Sequence, residues 1–284
     1  MSEEAYGVTV AKRRLSRRLA ALRMAQGFSA AQVCDKLDWG RGKVNRFESN
    51  DWKLPEMSDV RDLLRLYGVS EDEQDVLLDL ARKGRVRAWW RKYDEVFDNE
   101  FPGYEADAAR ISVYTQLMLP GLLQTPAYIE AYLTAGSQSA AWVRRAVEAR
   151  VRRQRILDRV DGTAPRLNAV VTEASLLFRW GSRDDRRAQL GHLAEMSRRP
   201  TVDLRVLPFA SGPYPGMSAL IDIFEFPSDQ DPPVVFLETE PALREVTNAD
   251  EINSYVTLFG RIRDAALSPV ASTTFLQKLA ETME

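Results

Sequence analysis

The stretch that most constrains this chain is residues 29–50, SAAQVCDKLDWGRGKVNRFESN. Ser29 is a good N-cap, and Val33, Cys34 and Leu37 give the inner face of a short helix running to about residue 37. Residues 38–40 read as a tight turn, and another short helix follows over about residues 41–50. Two short helices crossing steeply around a compact turn need a small residue inside the first and an apolar residue just after the turn. They also need two apolar anchors on the second. Cys34, Trp39, Val44 and Phe47 meet these needs at the required spacing. Gly42 would then lie inside the second of these helices, at a propensity cost of ~1 kcal/mol relative to alanine.

The flanking sequence supplies more short helices. Leu15, Leu19 and Leu22 recur at i, i+4 and i+7 within a helix over 8–25, and Gly27 ends it. Beyond Pro55, residues 58–67 turn Val60, Leu63, Leu64 and Tyr67 to one face. Ser70 and Glu73 form a capping box that opens a fifth helix to about residue 83. Residues 1–83 are therefore expected to form an all-α, five-helix helix-turn-helix domain. Residues 84–104 read as a connector, part of which packs through Trp89, Trp90 and Tyr93. In residues 105–284, stretch 111–120 is short and apolar and 166–178 is β-like. Strands are expected at 202–208, 218–226 and 234–238, and helices at 124–135, 142–160, 183–199, 249–267 and 272–284. That makes a second, α+β domain with a regulatory or dimerising role.

The net charge of -2 does not point to a nucleic acid, but its distribution does. Residues 1–53 hold eleven Lys and Arg against six Asp and Glu, a surplus of +5, which leaves −7 for the remainder. A basic end on an acidic body is the footprint of a one-ended DNA binder, although a solvated helix face also explains such a charge run. With Val44 and Phe47 inward, Gly42, Lys43, Asn45, Arg46 and Ser49 point out, and Arg41 projects from the helix N-terminus. Arginine reads guanine bidentately and asparagine can read adenine. Arg41 and Arg46 are the candidates for base edges. Lys43, Asn45 and the Ser29 hydroxyl or amide are candidates for phosphate. Gly42 either lets the backbone approach the duplex or is merely tolerated.

Little else in the chain suggests chemistry. One cysteine, Cys34, allows no internal disulfide, and the one histidine, His192, lies on an amphipathic helix. No His/Cys/Asp cluster has metal spacing, and no P-loop or dinucleotide fingerprint appears. No metal, no cofactor and no enzymatic activity are therefore expected. Glu173 with Trp180, or Tyr214 within residues 212–216, are candidates to line a pocket for a small-molecule effector, with sheet and loop packing as the plainer reading. The first seven residues lack a secretory pattern, and no apolar run approaches the ~20 residues of a membrane helix. The expected place is the cytoplasm, at the nucleoid, away from membranes.

Residues 29–50, with Leu19, Leu22, Arg23 and Gly27 ahead of them, resemble the phage-repressor-like (Xre/Cro/C1) helix-turn-helix family. The resemblance implies a structural ion pair between Arg23 and Glu48 that fixes the recognition helix. The chain departs from the family at Ala30, where many members have a phosphate-contacting glutamine. It departs again at Asp38, where a turn glycine is usual, although aspartate tolerates the left-handed conformation. Trp89-Trp90, the run LPGLLQT at 119–125, Tyr128, the arginine-rich 150–155, EASL at 173–176, VLPF at 206–209, residues 212–216 and AALSP at 265–269 carry a second resemblance. It is to an actinobacterial regulator family that couples this motif to a C-terminal domain of unknown function, with some antitoxin-like members. What this implies is a sequence-specific transcriptional regulator reading the major groove of double-stranded DNA with the helix at about 41–50. The alternative is an antitoxin-like adaptor for a small neighbour-encoded protein, with autoregulatory DNA binding. A homodimer is expected, because one small helix-turn-helix buries too little to hold a site tightly. Ile252, Tyr255, Val256, Phe259 and Ile262 form a stripe that offers a dimer seam or packs on its own sheet.

Overall fold

The computed structural model describes residues 7–52, 55–136, 138–239 and 242–283. The chain divides into two compact units, residues 1–107 and 108–284.

In the first unit the helices are α1 (Val8–Ala25), α2 (Ala30–Lys36), α3 (Lys43–Glu48), α4 (Met57–Leu66), α5 (Glu71–Gly84) and α6 (Phe101–Asp107), with a 3-10 turn at Trp89–Lys92. Leu15 and Leu19 of α1 meet Val33 and Cys34 of α2, Val44 and Phe47 of α3, Val60, Leu63 and Leu64 of α4, and Leu77 and Ala81 of α5 in one core. Apart from Leu77 and Ala81, these are apolar positions that the helical spacing placed inward, and Leu22 and Leu37, also placed inward, are partly buried against the same core. Gly7 offers α1 no side-chain cap, and Asp107 serves instead: its carboxylate accepts from Val10 N at 2.9 Å and from Gly7 N. A carboxylate at a helix N-terminus satisfies free amides and suits the helix dipole.

Two local expectations change. α3 is shorter than the stretch 41–50, because Gly42 is its N-cap with φ at +84° and not an interior residue. Its glycine therefore relieves backbone strain, and the interior propensity penalty does not apply. At α5, Ser70 accepts from Glu73 N at 3.4 Å, but the Glu73 carboxylate turns to Arg18, with Nε at 2.7 Å, so only half of the capping box forms.

Residues 84–104 lie within this first unit. Trp89, Trp90 and Tyr93 are buried, and Trp89 meets Trp90 and Tyr93 edge-on at about 6 Å between ring centres. Packing on this side also buries Lys12 and Arg13. Lys12 Nζ lies 4.0 Å from Glu100 and burial lowers its pKa, while Arg13 lies over the Tyr104 ring. Two of the cations in the basic surplus are thus not on the surface. Gly103 fits because it lacks a side chain: a Cβ there would stand 2.6 Å from the Trp90 ring and closer still to Thr9. Gly103→Ala should cost about 1–3 kcal/mol of stability through overpacking. A denaturant titration in which this variant matches the parent would show that the contact yields freely.

The second unit is built on a six-stranded mixed sheet, so the chain is an all-α helix-turn-helix unit followed by an α+β unit. The strands are β1 (Arg110–Thr115), β2 (Arg166–Thr172), β3 (Val202–Leu207), β4 (Ile221–Glu225), β5 (Val234–Thr239) and β6 (Ala242–Val246), in the order β3-β2-β1-β4-β5-β6. β1, β2 and β3 are parallel, whereas β4, β5 and β6 continue the sheet antiparallel from β1. The crossovers carry α7 (Pro126–Ala135) with α8 (Ala140–Gln154), and then α9 (Glu173–Leu177) with α10 (Arg183–Met196). Helices α11 (Ala249–Ala265) and α12 (Pro269–Thr282) close the chain. α12 covers the β3 edge, where Val206 N donates to Ser272 Oγ at 2.9 Å and Leu267 N donates to Val206 O at 2.9 Å. Closing an edge in this way removes a template for aggregation.

The β-like stretch 166–178 is broken at Thr172, whose hydroxyl accepts from Ser175 N and caps α9. The apolar stretch 111–120 yields the central strand β1, and β6 is an additional strand. The run at 119–125 is held by three glutamines. Gln124 Nε2 donates to Leu119 O at 2.7 Å, Gln154 Nε2 to Gly121 O at 2.9 Å and to Gln124 O at 2.7 Å, and Gln189 Nε2 to Leu123 O at 2.8 Å. An irregular buried backbone needs such partners, and this satisfies the loop in place of a ladder. Ile252, Phe259 and Ile262 of α11 pack with Tyr114, Ile221 and Val235 of the sheet, which leaves Val256 of that stripe exposed.

Candidate nucleic-acid interface

α2 begins with a complete capping box. Ser29 Oγ accepts from Gln32 N at 3.1 Å, and Gln32 Oε1 accepts from Ser29 N at 2.8 Å. The Ser29 amide is therefore engaged, and its hydroxyl proton is what remains to donate outward. α2 ends at Leu37, and Asp38 takes φ at +53°, which reverses the chain. Trp39 N donates to Cys34 O at 2.8 Å, closing the turn, and the Trp39 ring stacks on Phe47 at 6.2 Å. Gly42, left-handed, redirects the chain into α3.

Two apolar anchors set the rotation of α3: Val44 is 1% exposed and Phe47 5%. With those inward, Arg41, Gly42, Asn45, Arg46 and Ser49 are exposed and Lys43 is half-buried. Arg41 and Arg46 have no ion-pair partner among the described residues. Lys43 differs: its Nζ lies 2.7 Å from Asp59 Oδ1 and 4.1 Å from the centre of the Trp39 ring. It ties the start of α3 to α4 and to the turn.

The far side of α3 is fixed by Arg23 and Glu48. Arg23 Nε donates to Glu48 Oε1 at 2.6 Å and a terminal nitrogen to Oε2 at 2.9 Å, while the other terminal nitrogen donates to Phe28 O at 2.6 Å. The side chains are only 16% and 13% exposed. The hydrogen bond to Glu48 raises the Arg23 pKa further, and burial pushes the nearby Tyr67 phenol well up. Bidentate geometry with a third bond to a carbonyl is what makes a partly buried charge pair tolerable. Trp52 holds the end of α3, its indole N–H donating to Phe47 O at 3.2 Å and to Ser16 Oγ at 3.1 Å. Asp59 and Trp52 were not singled out from sequence. Asp59 lies sixteen residues from Lys43 and Trp52 lies outside the helices, so no local spacing marks either contact.

The resulting surface is small and pre-set. Six residues of helix span ~9 Å at 1.5 Å per residue. The helix diameter with side chains, about 10–12 Å, is what a major groove ~12 Å wide admits. Glu173, Trp180 and Tyr214, in the second unit, are each engaged in their own packing. Glu173 accepts from Phe209 N at 2.7 Å, Trp180 meets Tyr128 edge-on at 4.8 Å, and the Tyr214 and Tyr114 hydroxyls are 2.6 Å apart. No contact joins the three among the described residues. His192 is half-buried, and burial lowers its pKa. Among the described residues, no group of three or more His, Cys, Asp or Glu could hold a metal ion, and no helix is long and apolar enough to cross a membrane.

Two such helices on a short turn, joined to a separate α+β unit, have the build of a DNA-binding regulator, and residues 14–77 match the family model of a helix-turn-helix domain. The chain belongs to the family defined by the Domain of unknown function (DUF5753), whose model matches residues 99–278, more than half of its length. No curated protein and no solved structure matches it.

Proposed function

We propose that this chain is a sequence-specific transcriptional regulator that reads the major groove with α3 and the turn before it. The observation that carries this reading is the outward set left by Val44 and Phe47: two exposed arginines, Arg41 and Arg46, with Asn45 between them. Arg41 and Arg46 read base edges, where a planar fork recognises guanine O6 and N7. Asn45 and the Ser29 hydroxyl hold phosphates, and Gly42 lets the backbone come close to the duplex. The Arg23–Glu48 pair keeps α3 at its angle without touching DNA. Two copies bind a two-fold site with half-sites about 34 Å apart.

Lys43 serves both the fold and the contact in this reading, exchanging Asp59 for a phosphate on the duplex. Lys43→Ala should cost about 1–2 kcal/mol of stability, because the pair is only 30% and 15% exposed and Asp59 loses its partner. It should also make the salt dependence of DNA binding shallower by about one unit, similarly for all sequences. Titration at several salt concentrations tests this. Lower stability with an unchanged salt slope would assign Lys43 to the fold alone.

A further inference from the structure

Five large apolar side chains stand in solvent on one edge of the second unit: Leu117, Leu177, Phe178, Phe209 and Met217, each 44 to 65% exposed. All follow the C-terminal ends of the parallel strands or flank the strand that pairs with β1. Leu117 comes just after β1, Leu177 and Phe178 end the short helix that follows β2, Phe209 comes just after β3, and Met217 lies in the loop before β4. Hydrogen bonds tie these loop ends together. Thr172 Oγ1 donates to Gln116 O, Phe209 N donates to Glu173 Oε2 at 2.7 Å, and Gln116 Nε2 donates to Met217 O and, at 2.9 Å, to Ala219 O. The five side chains therefore belong to one edge. At ~200 Å² per large side chain, about half of it exposed, they present on the order of 500 Å² of apolar surface. That is as large as the largest patch of a typical monomer. It is also a large part of the ~800 Å² that each partner contributes to a standard interface.

We propose that this edge is where a second copy of the chain docks. The inference rests on the two-fold reading above and names its surface. None of the five side chains carries a charge, and Glu173, at the head of α9, is already held by Phe209 N. An apolar centre of this kind can face its own copy across a two-fold axis, with Arg179, exposed beside Phe178, left to the solvated rim. The stripe on α11 is not free to do so, because Ile252, Phe259 and Ile262 are spent on their own sheet.

The test is light scattering and sedimentation of the full-length protein without DNA. The wild type should be a dimer. Phe209→Asp and, separately, Met217→Lys should weaken it by about 100-fold, since a charge buried at an interface core is costly. The unfolding midpoint of the dissociated protein should stay unchanged, because both side chains lie outside the core. Val256→Asp, on the exposed side of α11, should leave the dimer intact. A dimer that survives Phe209→Asp and Met217→Lys, or is broken by Val256→Asp alone, overturns the assignment of this edge while leaving the two-fold reading in place. A monomeric wild type overturns both, and DNA binding through Arg46, measured separately, is untouched by that result.

Discussion

Replacing Arg46 by alanine is expected to lower affinity for the cognate site by about 1–3 kcal/mol, roughly 5- to 150-fold. Preference for the base pair it contacts should relax at the same time. The reason is geometric. Arg46 is exposed on the face opposite Val44 and Phe47, so it can present its guanidinium to a base edge without breaking an internal bond. Deleting it should therefore leave the fold unmoved, with the same unfolding midpoint as the parent. A phosphate-contacting residue would behave otherwise, with a uniform loss across sequences and a shallower salt slope. Titrations on cognate and scrambled duplexes separate the two behaviours. Unchanged affinity for the cognate duplex would remove Arg46 from the interface.

Glu48→Ala is expected to have the second largest effect, and through the opposite route. The substitution leaves the Arg23 guanidinium partly buried with Phe28 O as its remaining acceptor, so about 2 kcal/mol of stability should be lost. For a unit of this size that corresponds to a fall of roughly 8–16 °C in the unfolding midpoint. DNA affinity should fall with it, because α3 is no longer held at its angle. Arg23→Lys should be nearly as harmful, since an ammonium cannot reproduce the fork geometry of three bonds to Glu48 and Phe28. If Glu48→Ala weakened DNA binding with an unchanged midpoint, Glu48 would be acting at the interface itself.

The first unit was largely legible because its signals are local. The i, i+4, i+7 leucines of α1, the N-cap at Ser29 and the small-apolar-apolar spacing of Cys34, Val44 and Phe47 each dictate structure within a few residues. The role of Gly42 was missed because propensity treats a glycine near a helix start as an interior cost, whereas its +84° φ makes it the residue that starts the helix. The burial of Lys12 and Arg13 was missed for another reason: what covers them comes from distant segments, the Trp52 ring over Lys12 and Glu100 and Tyr104 about ninety residues away, and no local pattern announces it. In the second unit, β1 lies within the sheet and is buried on both faces, the polar Ser112 included, so its burial does not alternate along the strand. β6 is short and carries Arg244 and Glu245, a composition that reads as loop. The run at 119–125 stood out as a motif, but its meaning, a loop satisfied by Gln124, Gln154 and Gln189, depends on side chains from three separate segments.

The central claim is that α3 reads sequence. Selection of bound duplexes from a random pool by the full-length protein, followed by sequencing, tests it most directly. The expected outcome is enrichment of a two-fold site whose half-sites repeat about one helical turn apart and carry a guanine at a fixed position, lost when the selection is repeated with Arg46→Ala. A pool recovered without enrichment, or one enriched identically by Arg46→Ala, would contradict the claim.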